Sequence, residues 1–108
     1  MHGAEAVIEY KLGYPPVVND KTEIDRFFRA AANVMGDTAV SVSPPIMAAE
    51  DFAYYLQNVP GCFMFVGAGN AEKGIVYPHH HPKFDVDESS MRHAARLFLA
   101  MVKDRMDA

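Results

Sequence analysis

The sequence predicts an α/β fold, and two features of its pattern carry that prediction. Segments with strand character alternate with segments of helical periodicity, in the order strand, helix, strand, helix, strand, loop, helix. The third strand segment, residues 62–66, is apolar throughout, as expected for a strand covered on both faces of a layered sheet. Half of the 108 residues are apolar, which is enough to supply a core for one domain.

The first element, residues 4–12 (AEAVIEYKL), is predicted as a half-buried strand. Its side chains alternate, with Ala6, Ile8 and Tyr10 on one face and Glu5, Val7 and Glu9 on the other. Residues 13–20 (GYPPVVND) interrupt the strand, because proline has no backbone donor for helix or sheet.

The first helix is predicted to start at Asp20, since Glu23 three residues later completes a capping box. Gly36 supplies the permissive backbone of a helix end. Between them lies one apolar stripe at helical spacing: Ile24, Phe27, Phe28, Ala31, Val34 and Met35.

The second half continues the alternation. Residues 38–43 (TAVSVS) are predicted as a strand, residues 44–61 as a short helix after a proline break, and residues 67–74 (GAGNAEKG) as a flexible loop. Asp85 and Glu88 repeat the capping pattern before the last helix. Its predicted apolar stripe is Met91, Ala94, Ala95, Phe98, Met101 and Val102, with His93 on the exposed face.

Composition excludes several classes of function. A net charge of −4 is unlike the basic footprint of a nucleic-acid-binding domain. The apolar run 62–66 is far shorter than the roughly 20 residues that span a membrane. The first five residues do not have the order of a signal peptide. With Cys62 as its single cysteine the chain has no intrachain disulfide, so a cytoplasmic location is expected.

Three sets of residues are candidates for a site. The stretch PHHHPKFDVDE, residues 78–88, offers adjacent imidazoles for a metal ion, with Asp85 and Asp87 available to orient a ring; a polar loop before a helix is the alternative. Glu50 and Asp51 start a helix, where acidic groups are favoured by the dipole, or face a cleft. The glycines of residues 67–69 leave backbone N–H groups free for an anion or form a plain turn.

Three segments in this order, GYPPVVND, MAAEDFAYYLQNVPGCFMFVGAGN and HHHPKFDVDE, resemble the C-terminal third of the metal-dependent amidohydrolases. That group includes hippurate hydrolase, N-acyl-amino-acid amidohydrolase and the plant auxin-conjugate hydrolases, within the wider aminoacylase/carboxypeptidase metallopeptidase family. The resemblance extends from Ala4 to Met101. It implies that residues 1–13 are the last strand of a lid (dimerisation) domain. Residues 14–108 would then be the C-terminal half of a zinc-exopeptidase-like α/β/α catalytic domain.

The resemblance also implies a chemistry. Family members hydrolyse an amide with one or two divalent ions, usually zinc, manganese or cobalt, and with a glutamate as general base. The family's C-terminal metal-binding histidine stands two residues before a proline, which fits His80 with Pro82 and makes His79 and His81 weaker fits. Glu50 and Asp51 match a segment at the cleft wall, and Gly67 and Gly69 match a loop near the substrate. The implied substrate is an N-acyl amino acid or small peptide, and the implied assembly is a homodimer.

The chain lacks other parts of the family pattern. It has no His-x-Asp or Cys-x-His motif and no Glu-Glu pair for the general base. It is therefore expected to be a fragment without activity of its own and without catalytic residues, since one histidine does not hold a catalytic ion. The alternative is a stand-alone, non-catalytic α/β module for binding or dimerisation.

Overall fold

The structure is a computed structural model, and it describes residues 3–107. Within these residues the regular secondary structure is helical. The helices are α1 at Lys21–Met35, α2 at Phe52–Leu56 and α3 at Ser89–Met106. Two short 3₁₀ turns lie at Asp37–Ala39 and Ala71–Lys73. Within this range no helix combines the length and the apolar character needed to cross a membrane.

Helix α1 begins and ends where the sequence predicts, but the predicted Asp20–Glu23 capping box forms only in part, because the N–H of Asp20 donates to the Gly61 carbonyl and not to the Glu23 side chain. Asp20 Oδ1 accepts a hydrogen bond from the N–H of Glu23 at 3.0 Å, and such a cap contributes about 1 kcal/mol to stability. Gly36 ends the helix with a φ of 89° and donates its N–H to the Ala32 carbonyl at 2.9 Å. Every residue of the predicted apolar stripe is at least partly covered, and Ala31 is fully buried.

Helix α3 packs against α1 in the antiparallel direction. Arg26, near the start of α1, pairs with Asp104, near the end of α3, at 3.2 Å. Arg96 in the first half of α3 donates to the carbonyl of Val34, near the end of α1, at 2.7 Å. The second bond also satisfies one of the carbonyls that a helix leaves open at its C-terminal end.

The face of α3 that packs is not the predicted one. Met91, Phe98 and Val102 are 61%, 76% and 57% exposed. The partly covered positions follow a neighbouring stripe: Ser90, His93, Ala94, Leu97, Ala100, Met101 and Asp104. The prediction that His93 is solvent-exposed is therefore wrong. Helical periodicity identified an apolar face, but the described residues supply no partner for most of it.

The start of α3 is also capped differently from the prediction. The Asp85 carboxylate accepts only from the N–H of its neighbour Val86, at 2.8 Å. Glu88 stands at the N-cap without a side-chain hydrogen bond. The Asp87 carboxylate instead accepts from the N–H of Ser89 at 3.0 Å. The predicted Asp85–Glu88 capping box is therefore wrong, and the Asp87 carboxylate accepts from the first N–H of α3 instead.

The predicted α/β layers are not formed by residues 3–107. The ranges 4–12, 38–43 and 62–66 contain no strand, and the β-type pairing in the described residues is the isolated bridge between Asn70 and Ile75. A strand needs a hydrogen-bonded neighbour. Alternation in the range 4–12 does not provide one, and Val7 and Ile8 are 96% and 86% exposed. The predicted lid strand, whose first two residues lie outside the described range, is thus not confirmed.

The described chain is flat and encloses little apolar surface. Its radius of gyration is 18.9 Å, against about 13 Å for a compact domain of roughly 100 residues. The principal extents are 66 × 40 × 18 Å. The buried apolar residues of the described part are Ala30, Ala31 and Ala53. Most of the apolar half of the sequence therefore lies on open surface.

Candidate functional site

Two consecutive turns shape the histidine loop. The N–H of His81 donates to the Pro78 carbonyl at 3.1 Å, and the N–H of Phe84 donates to the His81 carbonyl at 2.9 Å. His80 is the third residue of the first turn and has a φ of 71°, the sign that a type II turn requires at that position. Pro82 is the second residue of the second turn, where its fixed φ fits.

His80 has a strained backbone. Among the described residues it is the non-glycine residue with positive φ. A side chain in this left-handed region costs roughly 1–2 kcal/mol, which is why glycine or asparagine is usual at such a turn position. Backbone strain of this kind is concentrated at functional sites. The His80 side chain is exposed, so the strain is not explained by packing.

The His81 ring is already engaged. Its Nδ1 accepts a hydrogen bond from the N–H of Lys83 at 3.0 Å. The ring stacks on Tyr77 with centroids 4.3 Å apart, and Lys83 Nζ lies 5.6 Å from the Tyr77 ring centroid. With the Nδ1 lone pair occupied, the neutral ring carries its proton on Nε2. In this conformation neither nitrogen of His81 is free to bind a metal ion.

His79 and His80 are both exposed, and their ring centroids lie 4.1 Å apart. His79 also contacts Phe84 edge-to-face, with centroids 5.2 Å apart. Within the described range, neither the His79 ring nor the His80 ring accepts a hydrogen bond like the one at His81 Nδ1. The loop therefore presents two exposed imidazoles without a ring hydrogen bond in the described range, and one of them, His80, lies on the strained turn.

The described residues do not make a complete metal site. No group of three or more His, Cys, Asp or Glu side chains within them is arranged to hold an ion. A catalytic zinc ion takes three protein ligands from separate elements. The histidine loop fits the role of one ligand, and the remaining ligands would have to come from residues other than these.

The glycine loop is open on its outer side. Gly67 and Gly69 are exposed, and a Cβ built at Gly67 would meet nothing within 4 Å. A Cβ at Gly69 would lie 3.5 Å from the Ile75 carbonyl, an ordinary contact. Neither glycine is required by packing within the described chain, so the space above Gly67 is available to a bound group.

The glycine loop and the histidine loop are joined through Asn70 and Asp87. The Asn70 side-chain amide donates to Asp87 Oδ2 at 2.5 Å, and the N–H of Asp87 donates to the carbonyl of Ala68 at 2.8 Å. Lys73 Nζ donates to Asp87 Oδ1 at 3.0 Å. Asn70 also exchanges two main-chain hydrogen bonds with Ile75, each 2.9 Å. We call Asn70 and Asp87 together the anchor pair.

Asp87 is the buried charged residue of the described chain, with 7% exposure. The donated amide hydrogen of Asn70, followed by the N–H of Ser89 and the ammonium of Lys73, holds the pKa of its carboxyl well below the usual range. The carboxylate therefore stays ionised and accepts several hydrogen bonds, as a buried charge requires. The possibility that Asp87 orients an imidazole is not realised, since its donors are these three groups.

Glu50 and Asp51 lie at the start of α2. Glu50 Oε1 accepts from the N–H of Phe52 at 3.0 Å, and the Glu50 carbonyl accepts from the N–H of Ala53 at 3.4 Å. Asp51 is exposed, and its side chain makes no capping hydrogen bond. Within residues 3–107 no hydrogen bond links this pair to the glycine or histidine loop. In this structure Glu50 therefore accepts hydrogen bonds from the first turn of α2.

Sequence reasoning missed the anchor pair. The sequence places Asn70 in a loop directly after the glycines and offers Asp87 as a residue that orients an imidazole or caps a helix, but it does not predict that the two meet. One local signal was present, because Asn70 Oδ1 accepts from the N–H groups of Glu72 and Lys73 at 3.1 and 3.3 Å, the short-range bonding that asparagine favours before a turn. Its contact with Asp87 crosses 17 positions and has no sequence signature.

A known protein family matches the chain that carries these loops. The peptidase family M20/M25/M40 matches residues 4–104. The match covers nearly the whole chain. The chain therefore belongs to the peptidase family M20/M25/M40.

Several curated relatives are similar to this chain. "Putative amidohydrolase YhaA" of Bacillus subtilis (strain 168) is 47% identical over 97 residues, which are 90% of this chain and 24% of the relative. "IAA-amino acid hydrolase ILR1-like 6" of Arabidopsis thaliana is 33% identical over 90 residues, 83% of this chain and 19% of the relative. "Thermostable carboxypeptidase 1" of Saccharolobus solfataricus is 35% identical over 79 residues, 73% of this chain and 19% of the relative.

The chain thus spans about a quarter or less of the length of these relatives, at 24%, 19% and 19%. No solved structure matches it. The relatives are thus named as an amidohydrolase, an amino acid hydrolase and a carboxypeptidase.

Proposed function

We propose that this chain is the C-terminal part of a metal-dependent amidohydrolase that cleaves N-acyl amino acids or small peptides. Support comes from the family match over residues 4–104 and from relatives named amidohydrolase, amino acid hydrolase and carboxypeptidase. A divalent ion of the zinc, manganese or cobalt type would supply the activated water of this reaction when bound.

His80 is the residue we propose as the metal ligand that this chain contributes. The single observation that carries the proposal is its exposed imidazole on a left-handed backbone, with a φ of 71°. His81 is the weaker candidate because Lys83 occupies its Nδ1. His79 is next to His80 but lacks the backbone strain that marks a functional position.

The glycine loop and the start of α2 are proposed to face the substrate. The open space above Gly67 leaves room for a carboxylate to approach backbone N–H groups near Gly67 and Gly69. Glu50 and Asp51 would line the same cleft. The Asp51 side chain is exposed and makes no capping hydrogen bond. No residue of this chain is proposed as the general base, because the sequence has no Glu-Glu pair like that of the family pattern.

The experiment uses the protein that carries these 108 residues at its natural length, and also the 108-residue chain by itself. We expect the first to hydrolyse N-acetyl or N-benzoyl amino acids when zinc, manganese or cobalt is added, and the second to be inactive. His80→Ala should lower kcat/KM by about a hundredfold or more, whereas His81→Ala should have a much smaller effect.

Glu72→Gln serves as the matched control, because Glu72 is exposed on the neighbouring turn and its side chain makes no hydrogen bond in the described range. Full activity of the His80→Ala variant would refute the ligand assignment. Turnover by the 108-residue chain with added metal would refute its incompleteness.

The second candidate function is a binding or dimerisation module, in which two copies associate through residues 4–12. It is favoured by the exposure of Val7, Ile8, Tyr10 and Leu12, each between 82% and 96%, because an unpaired apolar segment tends to pair with another chain. Sedimentation of the 108-residue chain tests it. A monomer at all concentrations would exclude dimerisation, and loss of a dimer in Ile8→Lys would support it.

A further inference from the structure

The histidine loop is fastened at both of its ends to one residue. Residues 76–86 follow the isolated bridge at Ile75, which exchanges two hydrogen bonds of 2.9 Å with the Asn70 backbone. They return at Asp87, whose carboxylate receives the Asn70 side-chain amide. The backbone of Asn70 therefore fixes where the loop begins, and its side chain fixes where the loop ends.

The second end is held more firmly than a single hydrogen bond would hold it. Asp87 accepts from Asn70, Lys73 and Ser89, and its own N–H donates to Ala68. The Asp87 side chain is only 8% exposed, so these bonds are sheltered from water. Charge-assisted bonds to a buried carboxylate are stronger than neutral ones. Asn70 also lies directly after the glycines, so the same pair connects both candidate loops.

We propose that Asn70 and Asp87 are positioning residues that set the placement of the loop carrying His80. The proposal depends on the proposed metal-ligand role of His80. The His80 imidazole has no hydrogen bond of its own in the described range, so its location follows from the two turns and from the ends of the loop. Support from residues behind a ligand commonly changes metal affinity by about 10- to 100-fold.

The chemistry of the pair allows an exchange experiment. Asn70→Asp alone places two carboxylates in contact, and Asp87→Asn alone removes the charge that Lys73 neutralises. The double variant Asn70→Asp/Asp87→Asn keeps one amide and one carboxylate, so the mutual hydrogen bond and the pairing with Lys73 can re-form. Glu72→Gln is the control, since that exposed side chain takes no part in the network.

Three quantities would be measured on the protein at its natural length: amide hydrogen exchange of residues 76–86, zinc affinity by competition with a chromogenic chelator, and Tm. We expect each single variant to speed exchange in the loop and to weaken zinc binding by about tenfold or more. The double variant should restore both quantities towards the wild type, and Glu72→Gln should change neither. The double variant is not expected to restore these quantities if the two single variants cause unrelated structural defects.

The outcomes separate the two proposals. Unchanged zinc affinity in the single variants, even with a lower Tm, overturns the positioning role, as does a double variant that is as defective as the sum of the singles. If His80→Ala itself leaves zinc affinity unchanged, the metal-ligand proposal fails. Loop exchange then still decides whether the anchor pair places the loop.

Discussion

The side chain of Asn19 makes both main-chain hydrogen bonds of Phe63. Asn19 Nδ2 donates to the Phe63 carbonyl at 3.0 Å, and Asn19 Oδ1 accepts from the Phe63 N–H at 2.8 Å. A primary amide offers a donor and an acceptor as a peptide group does. Asn19 therefore stands in for a strand neighbour at one residue of the range 62–66. Next to it, the N–H of Asp20 donates to the Gly61 carbonyl at 2.9 Å.

Asn19→Ala is expected to lower the free energy of unfolding by about 1–3 kcal/mol. The variant removes two hydrogen bonds, each contributing roughly 0.5–1.5 kcal/mol, and leaves the half-buried backbone of Phe63 without its partner. Urea unfolding followed by circular dichroism measures the change. Asn33→Ala is the control, because Asn33 is exposed on α1 and alanine is the better helix former. Equal stability of Asn19→Ala and the wild type would contradict the assigned role of Asn19.

The caps of α1 could be predicted from the sequence, and the Asn19 contact could not. Asp20 and Glu23 are three residues apart, so their geometry follows from one helical turn. Asn19 and Phe63 are 44 residues apart, and the sequence around Asn19 indicated only a break after two prolines. Local hydrogen bonds have a spacing that can be recognised, whereas long-range ones depend on a fold that no spacing encodes.

The same distinction explains the errors at α3 and at the predicted strands. Periodicity placed Met91, Phe98 and Val102 on one apolar face, which is correct as a pattern, but it does not say which partner covers that face. Strands likewise need neighbours, and alternation predicts only the side chains' directions. At the candidate site the family resemblance implies His80 as the ligand, because it stands two residues before Pro82, but the left-handed φ of His80 depends on a turn whose type the sequence does not determine.

Stability should depend on the ionisation of Asp87 at acid pH. Hydrogen bonds from Asn70, Ser89 and Lys73 place the pKa of the Asp87 carboxyl in the folded state below its unfolded value, which is about 3.9. This contribution is fully present above that unfolded value and is lost as the pH falls towards the folded pKa. We expect the free energy of unfolding to decline below about pH 4.

Asp87→Asn should flatten that decline, because an amide does not titrate. Urea midpoints measured across the acid range for the wild type and the variant give the comparison, and Glu72→Gln should keep the wild-type profile, since Glu72 is an exposed carboxylate outside the network. Identical pH profiles for the wild type and Asp87→Asn would show that Asp87 does not contribute to the acid dependence.

Gly67→Ala should separate substrate binding from folding. A Cβ at Gly67 meets nothing within 4 Å, and the φ of Gly67 is not in the left-handed region, so stability should change by no more than about 0.5 kcal/mol. If a substrate carboxylate approaches the loop backbone, the added methyl group should raise KM by about tenfold with a smaller change in kcat. Gly13→Ala is the matched control, because its Cβ also meets nothing within 4 Å. An unchanged KM would remove the glycine loop from the proposed substrate site.

His80→Gly and His80→Ala should remove the same imidazole but differ in stability. Glycine adopts a φ of 71° without the penalty of a Cβ, whereas alanine keeps that penalty. We therefore expect His80→Gly to unfold with a free energy about 1 kcal/mol higher than that of His80→Ala.

Zinc affinity of the protein at its natural length should fall equally in both His80 variants, since neither has a ligand at this position. His79→Gly is the comparison. Because His79 does not have a positive φ, glycine there should lower stability by about 0.5–1 kcal/mol through the entropy of the unfolded chain. If His80→Gly proves less stable than His80→Ala, the left-handed backbone at His80 is not strained, and the main support for choosing this histidine over His79 is lost.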